Sequence, residues 1–407
     1  MKDLAADMTT SAEIQAAHER VHQAIQSLAP KLVEVSLDLH AHPELAFQEH
    51  RSADRLTAEL AGAGFHVDRP VAGLDTAFVG RRGESGRHPR IAILMEYDAL
   101  AGIGHACGHN LIAAGGLGAA LAVAQALPEP PGELLAIGTP GEEGAGGKII
   151  ELEQGVFDGV DSAIMFHPGT RNYAVRHATA CTHVIMRFYG KAAHAAGAPE
   201  KGINALNALI HTFVQIDALR QHMTETNRIH GIITHGGDAP NVVPEYAEGN
   251  FIVRSFTSEG VQELLERVKA CAEGAAMAAG ARVEFEVGRI YAERKNNRVL
   301  ADRFTEHLER TGERVEAPRL KGGTGSSDIG NVSLVLPTIH PYMAVAAPDV
   351  PGHSRAMAEA AGKERAQEAM LHVAEAMAHV AVDLFLEPGF LERAWESFRT
   401  TGADIPD

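Results

Sequence analysis

The chain has 407 residues, 45% hydrophobic and 22% charged, a composition that suits a soluble globular protein with enough apolar material for two domains. A formal charge of -17 argues against a nucleic-acid partner, which would need a basic face to neutralise phosphates. The polar first residues and the short apolar runs argue against a secretory signal and a membrane partner, and only three widely spaced cysteines, Cys107, Cys181 and Cys271, are present, so the expectation is a cytoplasmic protein with reduced thiols.

Ile14, Ala17, Val21, Ile25, Leu28, Leu32 and Val35 recur at helical spacing and predict a helix over 14–39 that Pro30 kinks or breaks. A second helix is predicted over 49–63, stopped by Gly64. Apolar runs at 65–67, 76–79 and 91–95 predict strands, followed by a helix over 110–126 and strands at 134–138 and 163–166. This alternation predicts an α/β catalytic domain, a mainly parallel sheet covered by helices on both faces.

The pattern then changes. Strands at 182–189, 229–234, 247–255 and 282–287, with helices at 203–222 and 259–279, predict an inserted α+β sandwich, an antiparallel sheet with two helices on one face. The first pattern resumes near Ala292 with a helix, a Gly-rich loop over 322–330, an apolar stretch at 334–339 and a long helix over 356–386. The expected division is a catalytic domain in two parts, 1–179 and 292–407, around an inserted lid or dimerisation domain, 180–291.

In parallel sheets, ligands bind beyond the carboxyl ends of the strands. The suggestive residues fall there: Asp98 after one strand, Cys107 and His109 in the next loop, Glu142 and Glu143 after a second strand, His167 after a third. Thiolate, imidazole and carboxylate together suit a metal such as zinc, and a neighbouring carboxylate outside the ligand set can act as general base.

The stretches His40-Ala41-His42-Pro43-Glu44-Leu45, Met95-Glu96-Tyr97-Asp98-Ala99-Leu100, Gly104-His105-Ala106-Cys107-Gly108-His109-Asn110, Thr139-Pro140-Gly141-Glu142-Glu143-Gly144, Gly190-Lys191-Ala192-Ala193-His194-Ala195-Ala196 and Pro351-Gly352-His353-Ser354 carry a resemblance that runs in order along nearly the whole chain. They resemble the di-metal amidohydrolase and peptidase family of aminoacylases, carboxypeptidase G and auxin-conjugate hydrolases, nearest the branch with p-aminobenzoyl-glutamate hydrolase subunits and β-alanyl dipeptide hydrolases. The resemblance implies Cys107, His109, Glu143, His167 and His353 as ligands of two divalent ions, with the thiolate bridging, Glu142 as the base, and zinc as the metal, with manganese, nickel and cobalt as alternatives.

It further implies that His194 in the insert stabilises the oxyanion, often in the partner subunit of a homodimer, and that Asn241 and Arg254 hold the small-molecule substrate. Ser327 and Asp328 in the Gly-rich loop can bond its polar groups. The implied reaction is hydrolysis of an amide in an N-acyl amino acid, a dipeptide or an aminobenzoyl-glutamate-like compound. Hydrolytic deamination of an aromatic amine and a non-catalytic peptide-binding module are the rival readings.

This chain departs from many relatives by carrying Glu96-Tyr97-Asp98 where a His-x-Asp pair is usual, so Asp98 is assigned to orient a ligand. His40 and His42 read as structural. Gly146-Gly147-Lys148 lacks the hydroxyl residue of a phosphate loop. His353 is preferred to His340 as the last ligand.

Overall fold

The computed structural model describes residues 2–317 and 325–402, with side chains from residue 11 onward. In chain order the elements are α1 (Lys2–Ala41), α2 (His50–Gly62), β1 (His66–Asp68), β2 (Phe78–Gly83), β3 (Arg90–Met95), α3 (His109–Ala126), β4 (Glu133–Gly138), α4 (Gly147–Glu153), β5 (Ser162–Ile164) and β6 (His167–Gly169). There follow β7 (Ala180–Tyr189), α5 (Ala205–Arg220), β8 (Arg228–His235), β9 (Tyr246–Ser255), α6 (Ser258–Ala279) and β10 (Arg282–Val287). The chain ends with α7 (Arg298–Arg310), α8 (Ile329–Ser333), β11 (Thr338–Ile339), β12 (Tyr342–Ala344), α9 (Arg355–Ala361), α10 (Glu364–Leu386) and α11 (Phe390–Thr400). Two compact units result, one of Met1–His177, Arg294–Gly323 and Asn331–Asp407, the other of Ala178–Glu293 and Thr324–Gly330.

The first unit is an α/β layer structure around a sheet of order β1-β2-β4-β3-β5-β11. β3 pairs in parallel with β4 and β5, and β5 with β11, whereas β1–β2 and β2–β4 are antiparallel. The sheet is therefore mixed. For β1–β2 the cause is local, a short connection with no helix that permits antiparallel pairing only, whereas β2–β4 joins segments far apart in the chain.

α3 is buried along nearly its whole length and packs on β3 and β4, with α1 and α10 against it. A Cβ on Gly116 would stand 2.6 Å from Met95 Cγ and 2.8 Å from the Leu94 carbonyl oxygen, so glycine is what lets α3 lie this close to β3. Pro30 does not end α1. The buried residues Ile25, Leu32 and Val35 anchor both sides of it, and the helix also packs along α3 and α10, so packing outweighs one lost backbone bond.

The long C-terminal helix expected over 356–386 is instead two helices, broken at Gly362, with Ser354 capping α9 by accepting the Met357 N–H at 3.2 Å. By length and composition α10 is apolar enough to cross a membrane, a property the short-run reading of the sequence missed. It is mostly buried and packs on α1, α3 and α7, as a core helix does.

The second unit is an antiparallel sheet of order β10-β7-β9-β8 carrying α5 and α6. Burial alternates along β7 and β9, and Val184, Met186, Phe188, Phe251 and Val253 meet Leu209, Ile216, Leu264 and Val268 in a core of its own.

Away from the strand ends, α1, α7 and α10 are tied together by a buried cluster. Asp383 accepts from His18 Nε2 at 2.7 Å, His307 Nε2 at 2.7 Å and Arg303 Nη1 at 2.6 Å. The His379 ring lies tilted 4.7 Å from that of His18, and burial pushes its pKa down to about 3. A histidine kept neutral in the fold binds a proton in the unfolded chain below ~6.5, so stability falls as pH drops from ~6.5 toward about 3. Each such group contributes up to about 1.4 kcal/mol per pH unit. His379→Leu is expected to flatten the slope of unfolding free energy against pH between ~6 and ~4, measured by denaturant titration; an unchanged slope refutes the assignment.

Candidate metal centre

The carboxyl ends of β3, β4 and β5 deliver the residues in turn: Glu96, Tyr97 and Asp98 follow β3, Glu142 and Glu143 follow β4, and His167 follows β5. Cys107 and His109 arrive at the start of α3. There Gly108 holds the left-handed conformation at φ 76, and a Cβ would lie 2.8 Å from Pro168 Cγ. His167 is fixed by the parallel pairing of β6 with β12, which sets Tyr342 opposite it. His353, at φ 53, sits in the turn before α9.

Sγ of Cys107 is 3.3 Å from His353 Nε2 and 3.6 Å from His167 Nε2. His353 Nε2 is 3.5 Å from Glu143 Oε1. Cys107, His109 and His167, then Cys107, Glu143 and His353, then His109, Glu142 and Glu143 each bring one ligand-type atom within 4.8 Å of the others. The five residues expected to hold metal therefore converge, with Glu142 beside them.

Beneath this set, Asp98 Oδ1 accepts from His109 Nδ1 at 2.9 Å, and Oδ2 accepts the Glu143 N–H at 2.9 Å. Fixing the proton on Nδ1 leaves the Nε2 lone pair of His109 for a ligand. His167 is set the same way, its Nδ1 donating to the Pro168 carbonyl at 2.6 Å. Glu49 completes the frame: its Oε1 accepts the Gly141 N–H at 2.9 Å and so holds the loop that carries Glu142 and Glu143.

The electrostatics follow from burial. Desolvation opposes a charge on His109, but Asp98, by charge and by hydrogen bond, outweighs it and holds the imidazole well above its ordinary value. Burial raises the Asp98 carboxyl, and His109, then the Glu143 amide, reverse the effect and leave it lowered. Burial and the nearby His109 push His167 well below its usual range, and burial pushes the Cys107 thiol far up. A neutral His167 is the form a metal takes, and a thiol ligand is deprotonated by the ion itself.

The donor set fits a divalent ion. Its decisive feature is that His109 Nε2 and Glu143 Oε1 are buried with no hydrogen-bond partner among the described residues.

The remaining expectations are placed as follows. His40 Nε2 donates to the Ala358 carbonyl at 2.7 Å, and His42 rests on Asp38, both away from the ligand atoms. Lys148 lies in α4 and pairs with Glu96 rather than lining a phosphate loop. His340 stands against the His167 ring, 5.5 Å between centroids, while His353 meets Cys107 and Glu143.

In the second unit His194 and Asn241 come together: His194 bridges to Val242, and the Ala195 N–H donates to Asn241 O at 3.0 Å. His194 Nδ1 accepts the Gly197 N–H at 3.0 Å, which turns Nε2 outward as a donor. Arg254 Nη1 donates to Ser326 Oγ at 2.8 Å, beside buried Ser327 and Asp328. Gly322, Gly323 and Thr324 of the Gly-rich loop lie outside the described residues.

Residues 180–280 match the model of a peptidase dimerisation domain. The chain is 38% identical to Xaa-Arg dipeptidase of Mus musculus over 96% of this chain and 94% of that protein. It is 30% identical to a p-aminobenzoyl-glutamate hydrolase component of Escherichia coli, over 93% of this chain and 94% of that one. The chain belongs to the M20 peptidase family. Solved structures agree in fold: a dinuclear metal-binding M20 peptidase from Bacillus subtilis, at TM-score 0.65 and 22% identity, covers 88% of this chain and 99% of its own. An aminobenzoyl-glutamate utilization protein from Klebsiella pneumoniae, at 0.70 and 22%, covers 90% and 99%. As a member of this family the chain is a hydrolase, and its reaction is cleavage of an amide.

Within the family frame, the departure at Glu96 has a structural answer that the sequence reading overlooked. Glu96 Oε1 is paired with Lys148 Nζ and its Oε2 lies 3.5 Å from His109 Nε2, all three side chains fully buried. The available signal is an acid directly after a buried strand, where a buried cation is called for. Lys148→Met leaves Glu96 uncompensated and is expected to cost about 3–5 kcal/mol of stability. Glu96→Leu with Lys148→Met is expected to recover much of that loss in denaturant unfolding; additive losses would show that the two do not act as a pair.

Proposed function

We propose that the chain hydrolyses the amide of a small N-acyl amino acid, a dipeptide or an aminobenzoyl-glutamate-like compound, with two divalent ions and Glu142 as general base. The observation that carries this reading is the placing of Glu142 next to the converged ligand atoms while its neighbour Glu143 is anchored through its own amide to Asp98. The named activities of the relatives, a dipeptidase, an aminobenzoyl-glutamate hydrolase and an N-acetylcysteine deacetylase, support the substrate class.

On this reading Cys107, His109, Glu143, His167 and His353 hold the ions, and a thiolate among imidazoles favours zinc over manganese, nickel or cobalt. Bound there, the ions would polarise the scissile carbonyl and acidify the attacking water. Glu142, 7% exposed, takes the proton from that water and passes it to the leaving nitrogen. Asp98 keeps His109 in the ligating tautomer and fixes the Glu143 backbone. His194 donates to the oxyanion, and Asn241, Arg254, Ser327 and Asp328 hold the polar groups of the substrate, the planar fork of Arg254 matching a carboxylate.

The insert serves as the dimerisation element. Its edge strand β8 exposes Ile232 and Ile233, and α5 exposes Ile210 and Val214, apolar surface that a second copy covers. The three free cysteines support a reducing, cytoplasmic location.

Glu142→Gln is expected to lower kcat by about 10²–10⁴-fold or more with metal content unchanged. Cys107→Ser and His109→Ala are expected to lower metal content together with activity, measured by elemental analysis of purified protein. A Glu142→Gln enzyme that keeps more than about a tenth of its rate refutes the role of base.

For the dimer, His194→Ala and Glu142→Gln subunits are each expected to be nearly inactive and to recover activity on mixing, because one site in each mixed dimer combines an intact base with an intact histidine. No recovery after verified subunit exchange refutes the shared site.

A further inference from the structure

Arg294 and His340 are two buried polar side chains of the first unit that the reaction above does not use. Arg294 is 3% exposed, and its Nε and Nη1 hydrogens have no acceptor among the described residues. His340 is 1% exposed, and neither ring nitrogen has a partner there. Both stand around Tyr342. The Arg294 guanidinium carbon is 5.7 Å from the centre of that ring, His340 is 5.5 Å from it, and the ring stacks on His167 at 5.0 Å. Arg176 covers the same ring at 4.3 Å.

A buried guanidinium without a counter-charge is disfavoured by several kcal/mol, and Arg294, Lys148 and Arg176 all act on His340 as positive charges. An anion would satisfy the unpartnered atoms of Arg294 and His340 together. The Nε and Nη1 hydrogens form the side of the guanidinium that matches two oxygens of a carboxylate, and the unpartnered His340 ring adds one more donor.

We propose that Arg294 and His340 form a carboxylate-binding subsite beside the metal centre. It rests on the amide-hydrolase reading and narrows the substrate class to amides that carry a carboxylate in addition to the one assigned to Arg254, on either the acyl or the amine side.

Two measurements test the subsite. In thermal unfolding, glutarate is expected to raise the Tm of the purified protein more than its neutral isostere glutaramide does. That difference shrinks severalfold in Arg294→Met and is largely kept in Arg294→Lys, which also shows that the site folds. A carboxylate held only by metal would keep its effect in Arg294→Met, and that result overturns the proposal.

In steady-state kinetics, two matched pairs are compared, N-acetyl-glutamate with N-acetyl-glutamine and glutaryl-alanine with its glutaramyl analogue. In at least one pair the charged member is expected to lead by about tenfold or more in kcat/KM, chiefly through KM, and Arg294→Met to erase the lead. Loss of the lead in Arg254→Met but not in Arg294→Met overturns the proposal. Failure of the wild-type enzyme to cleave any of the four compounds counts against the substrate class, while the glutarate shift still decides whether the subsite exists.

Discussion

Lys148, Glu96, His109 and Asp98 lie in one line with side chains that water does not reach, and the charges along that line must balance within the protein. Two carboxylates face one lysine and one imidazole. Burial opposes a charge on His109, but Asp98 and Glu96 outweigh it and favour positive charge there. The same Asp98 that fixes the tautomer of His109 also takes the Glu143 N–H, so one carboxylate aligns a histidine from α3 with a glutamate from the loop after β4. Remove it and both lose their orientation together.

That line of charge holds its geometry because the scaffold beneath it cannot shift. α3 is wedged between sheet and helices at glycine contacts too close for any Cβ, and its first residue is His109. Glu49 holds Gly141 from the opposite side, through a carboxyl that burial raises to about 7 and that Thr76 also supports. The ligand-bearing segments thus leave rigid elements at short distance, the condition for a site held to fractions of an ångström.

Much of this was legible in the sequence because the chemistry sits where strands end, and strand ends can be read from apolar runs bounded by Glu96, Pro140 and His167. The alternation of burial along β7 and β9 made the second unit equally readable. What escaped were features set by long-range pairing. The strand at His167 is three residues long and exists only because Tyr342–Ala344 lies beside it, 175 positions later at the first residue pair, as Tyr342 is to His167. The antiparallel half of the sheet, the partner of Glu96 and the orphaned fork of Arg294 likewise depend on which segments meet, and no local period records that.

The chain forms two separately cored units. On the proposed roles the first unit carries the bond-breaking groups and the second carries His194, Asn241 and Arg254 for the substrate and its transition state. The first set is locked by buried charge, so few substitutions there are tolerated. Two of the second, His194 and Asn241, are exposed loop residues and the third is a half-buried strand residue, positions where substitution rarely costs much stability. Such a division lets the preferred substrate change while the reaction is kept. It accounts for relatives at 30% and 38% identity being named for different amides, an aminobenzoyl-glutamate and a dipeptide ending in arginine, with overall likeness spread along more than nine-tenths of the chain. Hydrolysis of an amide therefore follows from the shared frame, whereas the particular amide has to be argued from individual charges, Arg254 in the second unit and the buried Arg294 in the first.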